Sequence, residues 1–268
     1  MAEASLSLTG LRIQAGSRVL VEEATLRLQA GRMLALVGES GSGKTLTARA
    51  CLGLLELRPG VVGGSLEVQV GARTLRPFEG APRERERSWA ELRGAILGWI
   101  PQEARGSLDP LRTVGAQLER VLRLPGGGQG GPPGDVGHWL RRAGLAEAAH
   151  VAGMFPHELS GGMARRVCIA LALARGSRFI VADEPTTGLD PTVQAEILDA
   201  LGALRAQGCG LLLITHDLRI VPALADEVAL MHAGRLVETL PAARLAELRS
   251  EAGQRLLAAT RPVAGGLW

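Results

Sequence analysis

Among the 30 lysine and arginine residues of this 268-residue chain, only Lys44 is a lysine. It falls inside Gly38-Glu39-Ser40-Gly41-Ser42-Gly43-Lys44-Thr45, the pattern G-x4-G-K-[ST] whose backbone amides cradle phosphates. Placed at random among the basic positions, a lysine would land there about one time in thirty. Arginine presents a broad planar fork, whereas lysine is a compact point charge on a flexible stem. A loop wrapped tightly around phosphate oxygens has room for the second and not the first. The motif implies that the chain binds a nucleoside triphosphate.

Other residues of useful type surround this one. Ile180-Val181-Ala182-Asp183-Glu184 is an apolar run ending in two carboxylates. Asp183 suits a hard cation such as Mg2+, held together with the Thr45 hydroxyl, and Glu184 suits polarisation of an attacking water. Leu159-Ser160-Gly161-Gly162-Met163 reads as a glycine turn opening a helix, whose amides and dipole favour a phosphate. Gln102 and His216 each follow a predicted strand, which places them at the carboxyl ends where α/β sheets put ligands.

The elements that must position these groups are legible as a strand, loop and helix series. Leu6–Leu8 and Ala24–Leu28 alternate as strands do, and Met33–Val37 is a buried strand feeding the glycine loop. Leu46–Leu55 has helical spacing. Further strands are predicted within 60–76, at Ala95–Ile100 after a helix following Ser88, at Arg178–Ala182 and at Gly210–Ile214. From Leu111 to about Val151 the pattern is helical, broken by the glycine- and proline-rich loop Pro125–Gly134. Residues 242–259 read as one amphipathic helix. A strand, phosphate loop and helix in this order open a parallel α/β sheet.

Composition excludes several classes. Although 46% of residues are hydrophobic, the longest clear apolar run, Val167–Ala174, is far short of the about 20 residues of a membrane span. Met1–Ser5 lacks the basic start and apolar stretch of a signal peptide. Cys51, Cys168 and Cys209 are too scattered for a disulfide framework or a metal site, so a reducing cytoplasmic location is expected. The net charge is only +3, Arg83-Glu84-Arg85-Glu86-Arg87 alternates sign, and 3% aromatics leave little to stack bases on. No nucleic-acid partner is expected.

In their order along the chain, these motifs resemble the ATP-binding subunits of ATP-binding-cassette (ABC) transporters over nearly the whole sequence. The set comprises Gly38–Thr45, Gln102, Leu159–Met163, Asp183-Glu184, Gly188-Leu189-Asp190 and His216. Pro156-His157-Glu158, Met163, Ser107-Leu108-Asp109-Pro110 and Thr192-Val193-Gln194 look like the peptide/nickel importer branch. So does Met231-His232-Ala233-Gly234-Arg235-Leu236-Val237-Glu238. The chain stops at Trp268 with no cysteine after Cys209, a shortness that resembles the nickel-type subunits. Repair and chromosome ATPases share the glycine turn but carry coiled-coil or zinc-bearing insertions, whereas the gap from Gln102 to Leu159 is short here. A small-molecule kinase would leave the turn and Gln102 unexplained.

The resemblance implies an α/β fold: a RecA-like P-loop NTPase core with an antiparallel β subdomain and an inserted α-helical subdomain. The nucleotide-binding domain would span 1–240, with the helical subdomain at about 104–165 and a helical tail over 241–268. It implies ATP and Mg2+ as ligands. Nucleotide contacts would come from Gly38, Glu39, Ser40, Gly41, Ser42, Gly43, Lys44, Thr45 and Leu46, with Ser160, Gly161 and Gly162 serving from a second, related ATPase subunit. Metal contacts would come from Thr45, Gln102 and Asp183, and the reacting water would meet Glu184, His216 and Gln102. Two transmembrane permease subunits and an extracytoplasmic binding protein for nickel, a metal chelate, or di- or oligopeptides would complete an importer, with this chain peripheral on the cytoplasmic face. Two residues depart from the family pattern. Where relatives stack adenine on an aromatic ring this chain has Ala15, with no ring before Phe78, and Arg165 stands where glutamine is common.

Overall fold

The computed structural model describes residues 4–128, 131, 132 and 134–260. Gln129, Gly130 and Pro133 of the predicted glycine-rich loop, and residues 261–268 of the predicted tail, lie outside the described residues. In chain order the first elements are β1 (Ala4–Ala15), β2 (Arg18–Gln29), β3 (Met33–Val37), α1 (Lys44–Leu52), β4 (Pro59–Val70), β5 (Arg73–Leu75), α2 (Pro82–Glu91) and β6 (Leu97–Ile100). Four short helices follow: α3 (Ala104–Ser107), α4 (Val114–Leu122), α5 (Val136–Arg142) and α6 (Ala148–Gly153). The rest are α7 (Gly161–Arg175), β7 (Phe179–Asp183), α8 (Pro191–Ala206), β8 (Gly210–Ile214), α9 (Val221–Leu224), β9 (Glu227–His232), β10 (Arg235–Pro241) and α10 (Glu251–Thr260).

The strands lie in the order β5-β4-β1-β2-β10-β9-β3-β8-β7-β6. β6, β7, β8, β3 and β9 run parallel, while β1, β2, β4 and β5 are antiparallel. One parallel pairing, Arg235 with Glu23, joins the two parts. Every residue of β3, β7 and β8 is buried, as a sheet covered on both faces requires. Side chains alternate between the faces with the period of two that strands impose. Ile180, Ala182, Leu211 and Leu213 pack with Ile169, Ala170 and Leu173 of α7 and with Ile197 and Leu201 of α8. Phe179, Val181, Leu212, Ile214, Leu34 and Leu36 pack on the opposite side with Ala48 and Cys51 of α1 and with Leu6, Leu8 and Leu26. Each large aliphatic side chain buried this fully contributes about 1.5–3 kcal/mol.

Helix ends follow their caps. The Ser160 and Asp190 side chains accept from Met163 N and Val193 N, which starts α7 and α8, and Gly176 closes α7 with a φ of 68°. Between β6 and α7, Leu108, Leu118, Trp139 and Leu140 of the short-helix region share the core of α7. None of the residues of α2 is buried, so Arg83–Arg87 form a solvated face. Among the described residues no helix is long and apolar enough to cross a membrane.

Four boundaries differ from the sequence reading. The helix read from Leu46 to Leu55 stops at Leu52, where Gly53 turns left-handed. The helix placed after Ser88 begins already at Pro82, and the Glu84 carboxylate accepts from Ala81 N at its start. The strand placed at Ala95 starts at Leu97, because Leu92–Ile96 form a wide π-helical turn. The helix over 242–259 divides into a 3-10 segment, Ala242–Glu247, and α10. The break has a tertiary cause: the Glu238 carboxylate accepts from Arg249 N and Ser250 N at 3.0–3.1 Å, and Leu248 is drawn into the core.

Candidate functional site

The parallel strands bring their carboxyl ends to one edge. Leu36 pairs with Ile214 and Asp183 with Ile214, while Ile100 lies beside Ala182. Val37, Asp183, Ile214 and Ile100 therefore end side by side, and the loops that leave them hold the predicted site. After β3 the chain turns through residues 38–43 into α1. Gly38 has φ 151°, and a Cβ there would lie 2.1 Å from the Met231 carbonyl oxygen, so only glycine lets the loop pass beneath β9. No side chain caps α1 at Gly43. The first amides of a helix have no intrahelical partner. Those of Lys44, Thr45 and Leu46 thus provide a positive helix end for an anion.

Lys44 Nζ is buried and donates to the carbonyls of Gly38 and Glu39, both at 2.9 Å. Burial pushes its pKa down, against the pull of Glu184 and Asp183. Thr45 Oγ1 donates to Asp183 Oδ1 at 3.3 Å. Asp183 is itself buried, and burial, joined by the Glu184 charge, pushes its pKa up against the Thr45 hydrogen bond and the nearby Arg49 and Lys44. Ser42 Oγ is buried without a hydrogen-bond partner in the same loop. Two adjacent oxygen donors, a buried ammonium and an unpaired hydroxyl form a polar cradle that a phosphate and its metal ion would satisfy.

Glu184 follows directly, in the left-handed region at φ 45°, with its amide bonded to Ile214 O. Such a backbone costs energy for a residue with a Cβ, and here it turns the carboxylate out of the sheet edge. Gln102 Nε2 and Thr187 Oγ1 both donate to Glu184 Oε2, at 3.2 and 2.9 Å. His216 Nδ1 lies 3.3 Å from Glu184 Oε1. The structure thus gathers Lys44, Thr45, Asp183, Glu184, Gln102 and His216 at this one edge of the sheet.

The sequence pattern of the family described as ABC transporter matches residues 21–187. The chain belongs to the ABC transporter family. It is 38% identical to the nickel import ATP-binding protein NikD of Brucella suis biovar 1 over 246 residues, which is 90% of this chain and 88% of that one. Identity to the oligopeptide transport ATP-binding protein OppD of Lactococcus lactis subsp. cremoris is 37%, covering 88% of this chain and 68% of that one. Among solved structures, a dimeric ATP-binding cassette in a post-hydrolysis state bound to ADP and Pi superposes with a TM-score of 0.72. That match has 23% identity and covers 88% of this chain and 98% of that one. The chain therefore has the α/β ABC ATPase fold that the resemblance implied, and it is an ABC-type ATPase that binds ATP.

One group of the family's motif stands apart. Ser160 and Gly161 are exposed at the start of α7, and Ser160 Oγ accepts from Met163 N at 3.2 Å. Among the described residues no hydrogen bond or ion pair joins Ser160, Gly161 or Gly162 to the phosphate loop. Ala15 ends β1 opposite Arg18 and Pro59. The turn after it leads to Val21, whose Cγ2 lies 3.1 Å from where a Gly43 Cβ would stand. Thr187 was not singled out by the sequence reading, because a threonine after Glu184-Pro185-Thr186 carries no spacing signal of its own.

Proposed function

We propose that this chain is the ATP-hydrolysing, energy-coupling subunit of an importer for nickel, a metal chelate, or di- or oligopeptides. The observation that carries the proposal is the Glu184 carboxylate, fixed by Gln102, Thr187 and His216 beside the Lys44 and Thr45 cradle. The two relatives named above, one a nickel and one an oligopeptide transport subunit, support the cargo classes.

In this reading Lys44 turns its ammonium from the Gly38 and Glu39 carbonyls to phosphate oxygens, and the amides from Gly38 to Leu46 complete the cradle. Glu39, Ser40, Gly41, Ser42 and Gly43 shape the loop. Thr45, Asp183 and Gln102 would hold Mg2+; the fit rests on the hard oxygen donors of Thr45 and Asp183, 3.3 Å apart. When bound, the ion neutralises charge that develops on the transferring phosphate. Glu184 accepts the proton of the attacking water, and His216 keeps the γ-phosphate and that water in register. Positioning and charge stabilisation carry such a reaction, with little covalent work left for the protein.

Ser160 and Gly161 are exposed at the start of α7, and in this reading Ser160, Gly161 and Gly162 serve the nucleotide of a second ATPase subunit packed head to tail. Gln102 and the short helices pass closure on to two permease subunits, which an extracytoplasmic binding protein loads. The chain works on the cytoplasmic face of the membrane. Reconstitution of the complex in vesicles, with Mg-ATP supplied on the side that carries this chain, tests this reading. Accumulation of radioactive nickel or of a labelled dipeptide, dependent on ATP and on the binding protein, is the result expected. ATP hydrolysis with no uptake of any metal chelate or peptide would contradict it.

A further inference from the structure

We propose that Arg165 is a positioning residue that holds both hydrogen-bond donors of Glu184 in place. The inference rests on Glu184 acting as the base. Arg165 lies in α7 and is only 7% exposed. Its Nη1 donates to the Thr187 carbonyl at 3.0 Å and its Nη2 to the Gln102 carbonyl at 2.7 Å. The side chains of those same two residues converge on a single oxygen, Glu184 Oε2. One rigid fork therefore fixes the backbone of two segments, 22 and 63 residues away in sequence, whose side chains aim the carboxylate.

Packing alone does not account for the guanidinium. Among the described residues no carboxylate forms an ion pair with it, and its Nε is buried with no hydrogen-bond partner. Burial opposes its charge. Its two hydrogen bonds go to carbonyls, and the Glu184 carboxylate attracts it only from beyond ion-pair distance; a buried cation so held costs more than an apolar side chain of similar volume would. What it provides in return is geometry: the planar fork spans two acceptors at a set angle, which neither an ammonium nor an apolar group can do.

The test uses the assembled transporter, with ATP binding measured by titration and hydrolysis by single turnover on the same sample. Rates are expressed per site that binds ATP, so any unfolded fraction drops out. Arg165→Lys keeps the charge but cannot reach both carbonyls. It is expected to lower the rate about tenfold, about 1.4 kcal/mol of transition-state stabilisation, while ATP affinity stays within twofold. Thr187→Val, which removes one of the two donors, is expected to lower the rate, and its combination with Arg165→Lys to fall well short of the product of the two effects. In a Glu184→Gln background, Arg165→Lys is expected to cause no further loss. A wild-type rate for Arg165→Lys would overturn the inference. So would an equal fractional loss in the Glu184→Gln background, since that would show an effect independent of the base. If Glu184→Gln alone kept its turnover, the assignment of the base itself would fail, an outcome visible before Arg165 is touched.

Discussion

At the scale of single residues, the site stores unfavourable charge until its ligand arrives. Burial raises the pKa of Asp183 and lowers that of Lys44, so each charged form is disfavoured in the folded chain. For a carboxyl whose folded pKa is raised, folding binds a proton, and the cost is fully present above that raised value and vanishes below the ordinary carboxylate range. Asp183→Asn should therefore raise the melting temperature of the nucleotide-free chain at neutral pH, by about 2–4 °C for each kcal/mol relieved. The gain should disappear as acid protonates Asp183 in the wild type, and it should be accompanied by loss of Mg2+-dependent ATP affinity. Thermal melts at several pH values check this, and a lower melting temperature at pH 7 would contradict it. Lys44→Arg should fail to restore ATP binding even in a chain that uses arginine everywhere else. The Nζ site is closed by two carbonyls at 2.9 Å and has no room for a planar fork. The phosphate loop, the two carboxylates, Gln102 and His216 were legible because their chemistry is local in sequence. The roles of Thr187 and Arg165 were not, because what they do is set by segments that meet only in the folded chain.

At the scale of elements, glycines and capping side chains decide where structure stops, and they also decide how well it can be read. The buried strands β3, β7 and β8 were legible as unbroken apolar runs. The end of α1 was not, because it depends on Gly53, at φ 64° beneath the Trp89 ring. A Cβ at Gly53 would lie 2.6 Å from Trp89 Cδ2, in a backbone conformation that alanine resists. Gly53→Ala should destabilise the chain by about 1–3 kcal/mol, as crowding of a packed site does, and denaturant unfolding measures this directly. The break at Leu248–Ser250 escaped the periodicity for a similar reason: the Glu238 carboxylate that captures Arg249 N and Ser250 N comes from β10. The end of β1 offers a further test. It carries Ala15 and no ring; if the base lies there, as the resemblance implies, it lacks a stacking surface worth about 1–3 kcal/mol per base in other systems. Ala15→Tyr should tighten ATP binding several-fold with the hydrolysis rate unchanged, and the wild type should discriminate poorly between ATP and GTP. Nucleotide titration checks both, and a strong native preference for ATP with no gain from the tyrosine would contradict the idea.

At the scale of the whole molecule, the fold gathers the phosphate loop and its carboxylates at one sheet edge and exposes Ser160 and Gly161, the proposed contribution to a second subunit's site, elsewhere. Lys44, Thr45, Asp183 and Glu184 meet at the sheet edge, while Ser160–Gly162 open α7 apart from them. The isolated chain should therefore hydrolyse ATP slowly, with specific activity that rises when the second ATPase subunit is added. Specific activity that is high and independent of concentration would contradict a shared site. The chemistry centres on Glu184, whose carboxylate Gln102, Thr187 and His216 all address. Glu184→Gln preserves the shape of the side chain and leaves the proposed phosphate and metal ligands intact, but removes the proposed base. The most direct measurement compares ATP binding and turnover of this variant with wild type in the assembled complex. ATP binding should be undiminished and turnover should fall by about 10²–10⁴-fold; turnover within a few-fold of wild type would contradict a base at Glu184.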